Sequence, residues 1–186
     1  MLISIKSKLK ALCLAMGILA INHSAIANTE ESEPSQPPPE LERLEYFEGT
    51  WRCQQPAAPE TPVGVFIWTV QLDLNDFWYV GNAEEIEFPD EREPINSREF
   101  LGYDAVSQKL FRFVVVGNGN SLNFTALDWQ DETLVWEGAV VEGGNARPLR
   151  QEIIQDDEDK FTATYFVTDN TGEWQPAVNE TCERVE

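Results

Sequence analysis

Acid–base chemistry in this chain rests on carboxylates. The sequence carries 33 Asp and Glu against 13 Lys and Arg, for a net charge of −20, and His23 is its one histidine. Glu85 and Glu87 alternate along one face of an extended run, with Glu84 on the other. A carboxylate pair is the equipment of a glycosidase. In so acidic a chain such pairs arise by chance, so this face is read as surface and no catalytic residue is assigned. Asp156-Asp157-Glu158-Asp159 offers oxygens suited to Ca²⁺. It lacks the EF-hand spacing and glycine, and a run of like charge usually forms a solvated turn, so no metal ligand is assigned either. There is no P-loop and no dinucleotide fingerprint. Gly117-Asn118-Gly119 falls between two strand patterns and reads as a hairpin turn.

Binding chemistry has stronger candidates. Arg112 stands inside Leu110-Phe111-Arg112-Phe113-Val114-Val115-Val116, which is apolar on both faces. Turned inward, Arg112 would pair with a buried carboxylate of the protein or of a ligand. Turned outward, it would meet surface acid, and the abundance of acid favours that orientation. Arg150 has Glu152 on its own face and reads as a surface pair. Of the tryptophans Trp51, Trp68, Trp78, Trp129, Trp136 and Trp174, most are expected in core or end packing. Trp68 and Trp136 share apolar strand faces with Leu72 and Leu134 and are candidates to line a cavity. Trp174, beside a turn, is expected at the surface.

Compartment and charge narrow the setting. Met1–Lys10 carries three lysines, Ala11–Ile21 is an apolar run, and Ala25-Ile26-Ala27 ends the segment. This pattern reads as a secretory signal peptide cleaved after Ala27, and the run is too short for an ordinary transmembrane helix. A retained N-terminal anchor is the alternative. Lipoprotein processing at Cys13 is disfavoured by Leu12, where a small side chain is required. Cleavage leaves ten basic and 33 acidic residues, net −23, with no histidine or methionine. Triads, Cys-His pairs and imidazole metal sites are then excluded. Such a charge repels nucleic acid and anionic membranes and suits a basic protein partner. A periplasmic or secreted protein is expected, not integral to the membrane after cleavage. Only Cys53 and Cys182 remain, and two cysteines in an exported chain invite a structural disulfide.

The remaining sequence has room for one domain over 40–186. Residues 28–39, NTEESEPSQPPP, are polar, acidic and Pro-rich, and read as a disordered linker. A short helix is expected over 40–47, with Leu41, Leu44 and Phe47 spaced by three. The hydrophobic period then switches to two, as Phe66, Trp68, Val70, Leu72 and Leu74 show. Similar runs at about 50–55, 77–88, 97–103, 109–117, 121–129, 133–140, 147–155, 160–168 and 174–185 alternate with turn signals. About ten strands joined by short turns make an all-β antiparallel meander. Closure into an up-and-down barrel removes both edges, and a β-sandwich is the alternative. In such a barrel the first and last strands are antiparallel neighbours, so opposed residues have a constant number sum. Cys53 with Cys182 and Trp51 with Arg184 share the sum 235. One register therefore permits a cross-strand disulfide and a cation–π contact together.

A short helix leading into Gly49-Thr50-Trp51, with Arg184 on the last strand, resembles the lipocalin (calycin) superfamily. There a G-x-W indole on the first strand is covered by a basic residue from the last, which implies structural roles for Trp51 and Arg184. Gly102-Tyr103-Asp104, the Lys109–Gly119 hairpin and Leu134-Val135-Trp136-Glu137-Gly138 resemble uncharacterised bacterial lipocalin-like barrels more closely, over roughly residues 41–186. The resemblance implies a barrel with an internal cavity and carries no activity with it. Nitrobindins, one calycin branch, bind haem through a histidine, which the mature chain lacks; Tyr79 and Tyr165 are the residues left that could approach such a ligand. No cofactor is expected. The resulting expectation is a non-enzymatic protein that holds a small, mainly apolar ligand against Trp68, Tyr79, Arg112, Trp136 and Tyr165. A filled barrel serving as an envelope interaction or stress module is the alternative, with a carboxylate- or Tyr-based enzyme third.

Overall fold

The computed structural model describes residues 36–56, 64–88 and 93–185. The expected leader, and the expected linker as far as residue 35, lie outside them. A 3₁₀ helix, Pro39–Phe47, comes first and buries Leu41, Leu44 and Phe47. A spacing of three aligns these residues in a helix of three residues per turn, which accounts for 3₁₀ rather than α geometry. The described residues then form ten strands: β1 Gly49–Gln55, β2 Gly64–Asp73, β3 Trp78–Glu87, β4 Asn96–Asp104, β5 Lys109–Val116, β6 Ser121–Ala126, β7 Thr133–Glu142, β8 Asn145–Asp157, β9 Lys160–Thr168 and β10 Trp174–Arg184. Every neighbouring pair is antiparallel, and β1 pairs with β10 to close the barrel. That closure excludes the sandwich. Among the described residues no helix is long and apolar enough to cross a membrane.

The β1–β10 seam follows the expected register: Trp51 faces Arg184, and Cys53 faces Cys182 in a disulfide. The Arg184 guanidinium lies 4.1 Å from the centroid of the Trp51 ring. It also donates to the carbonyls of Tyr46, Glu48 and Glu158 and to the Asp159 carboxylate. Arg184 thus ties the 3₁₀ helix to the β8–β9 turn. Gly49, at φ 125°, is required here, because a Cβ would fall 2.5 Å from Arg184 Nη1. The Asp156–Asp159 run is more than a solvated turn. Asp159 accepts from Arg184, Asp156 accepts from Thr162, and the Tyr46 hydroxyl meets the carbonyls of Asp157 and Lys160.

Side chains fill this end of the barrel. Leu44, Phe47, Trp51, Leu134, Trp136 and Phe161 are almost wholly buried there. Each such burial stabilises by roughly 1.5–3 kcal/mol, so the plugged end anchors the fold. Trp51 Nε1 donates to the Phe47 carbonyl at 2.9 Å, and Trp129 Nε1 to that of Arg43 at 2.8 Å. Trp129 stacks on Phe47, and Trp78 meets Phe111 edge to face. Trp174 begins β10 at the opposite end, so Trp78, Trp129 and Trp174 do not gather into one surface patch.

Candidate functional site: the barrel cavity

Beyond the plugged end the barrel holds a cavity of about 400 Å³, running towards the end where β1 finishes and β2 begins. A volume of that size is typical of small-molecule sites. Phe66, Val114, Leu122, Phe124, Ile153 and Phe161 provide its apolar wall. Polar side chains that reach it include Trp68 on β2, Glu99 on β4, Arg112 on β5, Gln151 on β8, Tyr165 on β9 and Glu180 on β10, with Gln55 on β1 and Glu85 on β3 nearer the opening.

Each is aimed inward by strand alternation. Arg112 lies two residues from Leu110 and Val114, both buried, and Gln151 lies between Leu149 and Ile153. Glu180 precedes the buried Cys182 by two. At their centre is a nearly buried ion pair, with Arg112 Nε 2.5 Å from Glu99 Oε2. Trp68 Nε1 donates to the other Glu99 oxygen, and Arg112 Nη1 donates to Gln151 Oε1 at 2.8 Å. The Arg112 guanidinium also stands 5.4 Å from the Trp68 ring centroid. Buried charges persist only when paired and hydrogen-bonded, as they are here. Burial works against the Arg112 charge, and Glu99 beside it, together with Tyr165 and Glu180, more than compensates, so its pKa is raised. Gly81, opposite Glu99 in the β3–β4 register, leaves room for this carboxylate; a Cβ would sit 2.5 Å from Glu99 Cγ.

Glu180 is different. It is buried and accepts from Gln55 Nε2 at 3.2 Å, with no ion-pair partner among the described residues. Burial pushes its pKa up to about 7, with the Gln55 hydrogen bond and Arg112 working against the rise. Burial, reinforced by Glu180, also raises the Tyr165 phenol, which therefore keeps its proton at neutral pH. Glu180 and the two cysteines lie close together, but the sulfurs are bonded to each other and offer no thiolate.

A profile described as protein of unknown function (DUF1579) matches residues 36–184. The chain belongs to the DUF1579 family. No curated protein matches it in sequence. Among solved structures, this DUF1579 barrel is similar to the crystal structure of Rv2717c from M. tuberculosis, with a TM-score of 0.58 and 10% identity over 81% of this chain and 100% of that one. A redesigned β-barrel matches with a TM-score of 0.41 and 12% identity, over 77% of this chain and 96% of that one. At such identities the likeness concerns the fold alone.

In the DUF1579 barrel, Trp68, Arg112 and Tyr165 line the cavity together. Trp136 and Tyr79 do not. Trp136 is fully enclosed in the plugged end, its Nε1 without a hydrogen-bond partner among the described residues. Tyr79 lies at the plugged end, beside Leu41 and Pro39, where burial raises its pKa to about 12. Arg112 points inward, against the outward orientation favoured by the surplus of surface acid, because its partner Glu99 is itself buried. Arg150 pairs with Glu152 at 2.7 Å, as expected. Glu85 and Glu87 part company at a β-bulge opposite Val65 and Phe66: Glu85 lines the cavity, while Glu87 bonds Arg52. Glu99, Gln151, Gln55 and Glu180 escaped the sequence reading. A signal existed for two of them. Gln55 and Glu180 share the sum 235 with the disulfide, and each lies two residues from its cysteine, which puts both inside on one seam.

Proposed function

We propose that this protein is an exported, lipocalin-like barrel that binds a small, mainly apolar molecule non-enzymatically in its cavity. The observation that carries the proposal is the cavity itself, apolar-walled, with a fixed polar cluster at its base. This combination is what small-molecule sites use for affinity and orientation. The buried Cys53–Cys182 disulfide supports an oxidising compartment, periplasmic or secreted. A barrel filled throughout, as an interaction module would have, is disfavoured by the same cavity. Three carboxylates in one cavity, Glu85, Glu99 and Glu180, are also raw material for an acid–base hydrolase. Glu99 is engaged on both oxygens by Arg112 and Trp68, and Glu85 accepts from the Ile95 amide, which favours binding.

The test is titration with the neutral dye N-phenyl-1-naphthylamine, whose emission shifts and brightens in apolar surroundings. Saturable binding of one dye per chain is expected, weakened at least tenfold in Leu122→Trp, which fills the cavity. Absence of saturable binding would overturn the proposal, as would a Leu122→Trp variant that folds, judged by circular dichroism, and binds the dye as well as the parent.

A further inference from the structure

The charges facing the cavity are unbalanced. Among the described lining residues, Glu99 and Glu180 share a single cation, Arg112. Arg112 is already committed, with Nε on Glu99 and Nη1 on Gln151. Glu85 lies at the open end of the cavity, beside Gly64 and Gln55, and accepts from the Ile95 amide. Glu180 is therefore the carboxylate that burial leaves without a counter-charge. A carboxylate-bearing ligand such as a fatty acid would find its natural anchor neutralised and would add negative charge beside Glu180 in a low-dielectric space. A ligand cation would do the reverse, completing an ion pair that the protein leaves half-made.

We propose that the cavity selects apolar molecules bearing one basic nitrogen, with the ammonium seated against Glu180. This rests on the carrier reading above and narrows it to a ligand class. Gln55 on β1, Glu99 on β4, Arg112 on β5 and Tyr165 on β9 are the groups that surround or act on Glu180. Of these, Gln55 fixes one Glu180 oxygen, Arg112 is held by Glu99, and Tyr165 keeps its proton. Burial favours the protonated Glu180, so a neutral amine that enters can take that proton, leaving an ammonium–carboxylate pair.

The experiment displaces the same dye with three probes of equal chain length, n-octylamine, n-octanol and octanoate, all below micelle formation. Octylamine is expected to displace at least tenfold lower in concentration than octanoate. Glu180→Gln should abolish most of that preference while still binding the dye and octanol. Glu137→Gln, at an exposed position on the outer face of β7, should retain it, which separates cavity charge from the acidity of the whole surface. Equal potency of the three probes, a preference for octanoate, or an amine preference undiminished in Glu180→Gln would each overturn the inference while leaving the carrier reading intact. Failure of the parent to bind the dye at all would instead overturn the carrier reading on which the inference rests.

Discussion

Glu180→Gln should make the protein more stable at alkaline pH, an unusual result for loss of a buried hydrogen-bonded side chain. The folded-state pKa of Glu180 is raised by burial from its ordinary 4.5 to about 7. A raised carboxylate pKa means that the folded protein holds a proton which the unfolded chain releases. Its contribution is thus fully present below pH 4.5 and is lost as pH rises through 7. A shift of that size corresponds to about 3 kcal/mol in total, of which some 2–3 kcal/mol falls between pH 5 and pH 8. Glutamine stays neutral throughout and preserves the acceptor facing Gln55. Urea unfolding of parent and variant at pH 5 and pH 8, with the disulfide intact, is the assay. Any fixed packing effect of the substitution cancels when the stability difference is compared between the two pH values. The difference should move in the variant's favour by about 2–3 kcal/mol on going to pH 8. A difference that stays constant within about 0.5 kcal/mol would refute the reasoning, because Glu180 would then ionise in the folded protein as it does in water.

Other consequences concern the frame of the barrel. Replacing Cys53 and Cys182 together by alanine releases a cross-link spanning 129 residues of sequence. Chain-entropy reasoning puts the loss at the upper end of the observed range, at about 5 kcal/mol, readable as a lower urea midpoint. Arg184→Met keeps a cover over Trp51 but loses the hydrogen bonds to the helix and the β8–β9 turn. It should destabilise by about 2 kcal/mol, and Arg184→Lys should recover less than half of this because an ammonium cannot reproduce the guanidinium fork. Gly81→Ala should push the Glu99 carboxylate aside and weaken dye binding, while Gly119→Ala, strained at φ 89° in the β5–β6 turn, should cost stability and leave the affinity for dye unchanged.

The barrel was legible because each strand is half-buried, so its alternation shows directly in the residues. The strand ends also carry turn chemistry at nearly every connection. The seam was legible for a sharper reason: a constant number sum is a geometric property of antiparallel neighbours, and two pairs met it together. The site was harder to read. Arg112 lies in a run apolar on both faces, so periodicity could not orient it; its direction is set by Glu99, three strand positions from Gly102 and unremarkable in so acidic a sequence. Tyr79 and Trp136 have the side chains of cavity residues but sit where the 3₁₀ helix and Phe47 plug the barrel, a tertiary effect that strand patterning does not encode. The separation of Glu85 from Glu87 depends on a single bulge, and a bulge reverses facing without any residue type to announce it.

The central claim is that the cavity carries a ligand, and native mass spectrometry of the mature protein recovered from its own host, followed by a denaturing run, tests it most directly. The account predicts extra mass on the native protein that is lost on denaturation, from one small molecule per chain. It also predicts a denatured mass matching cleavage after Ala27 and two hydrogens fewer than the reduced chain. A native mass equal to the denatured mass, from protein that also fails to bind N-phenyl-1-naphthylamine, would contradict it.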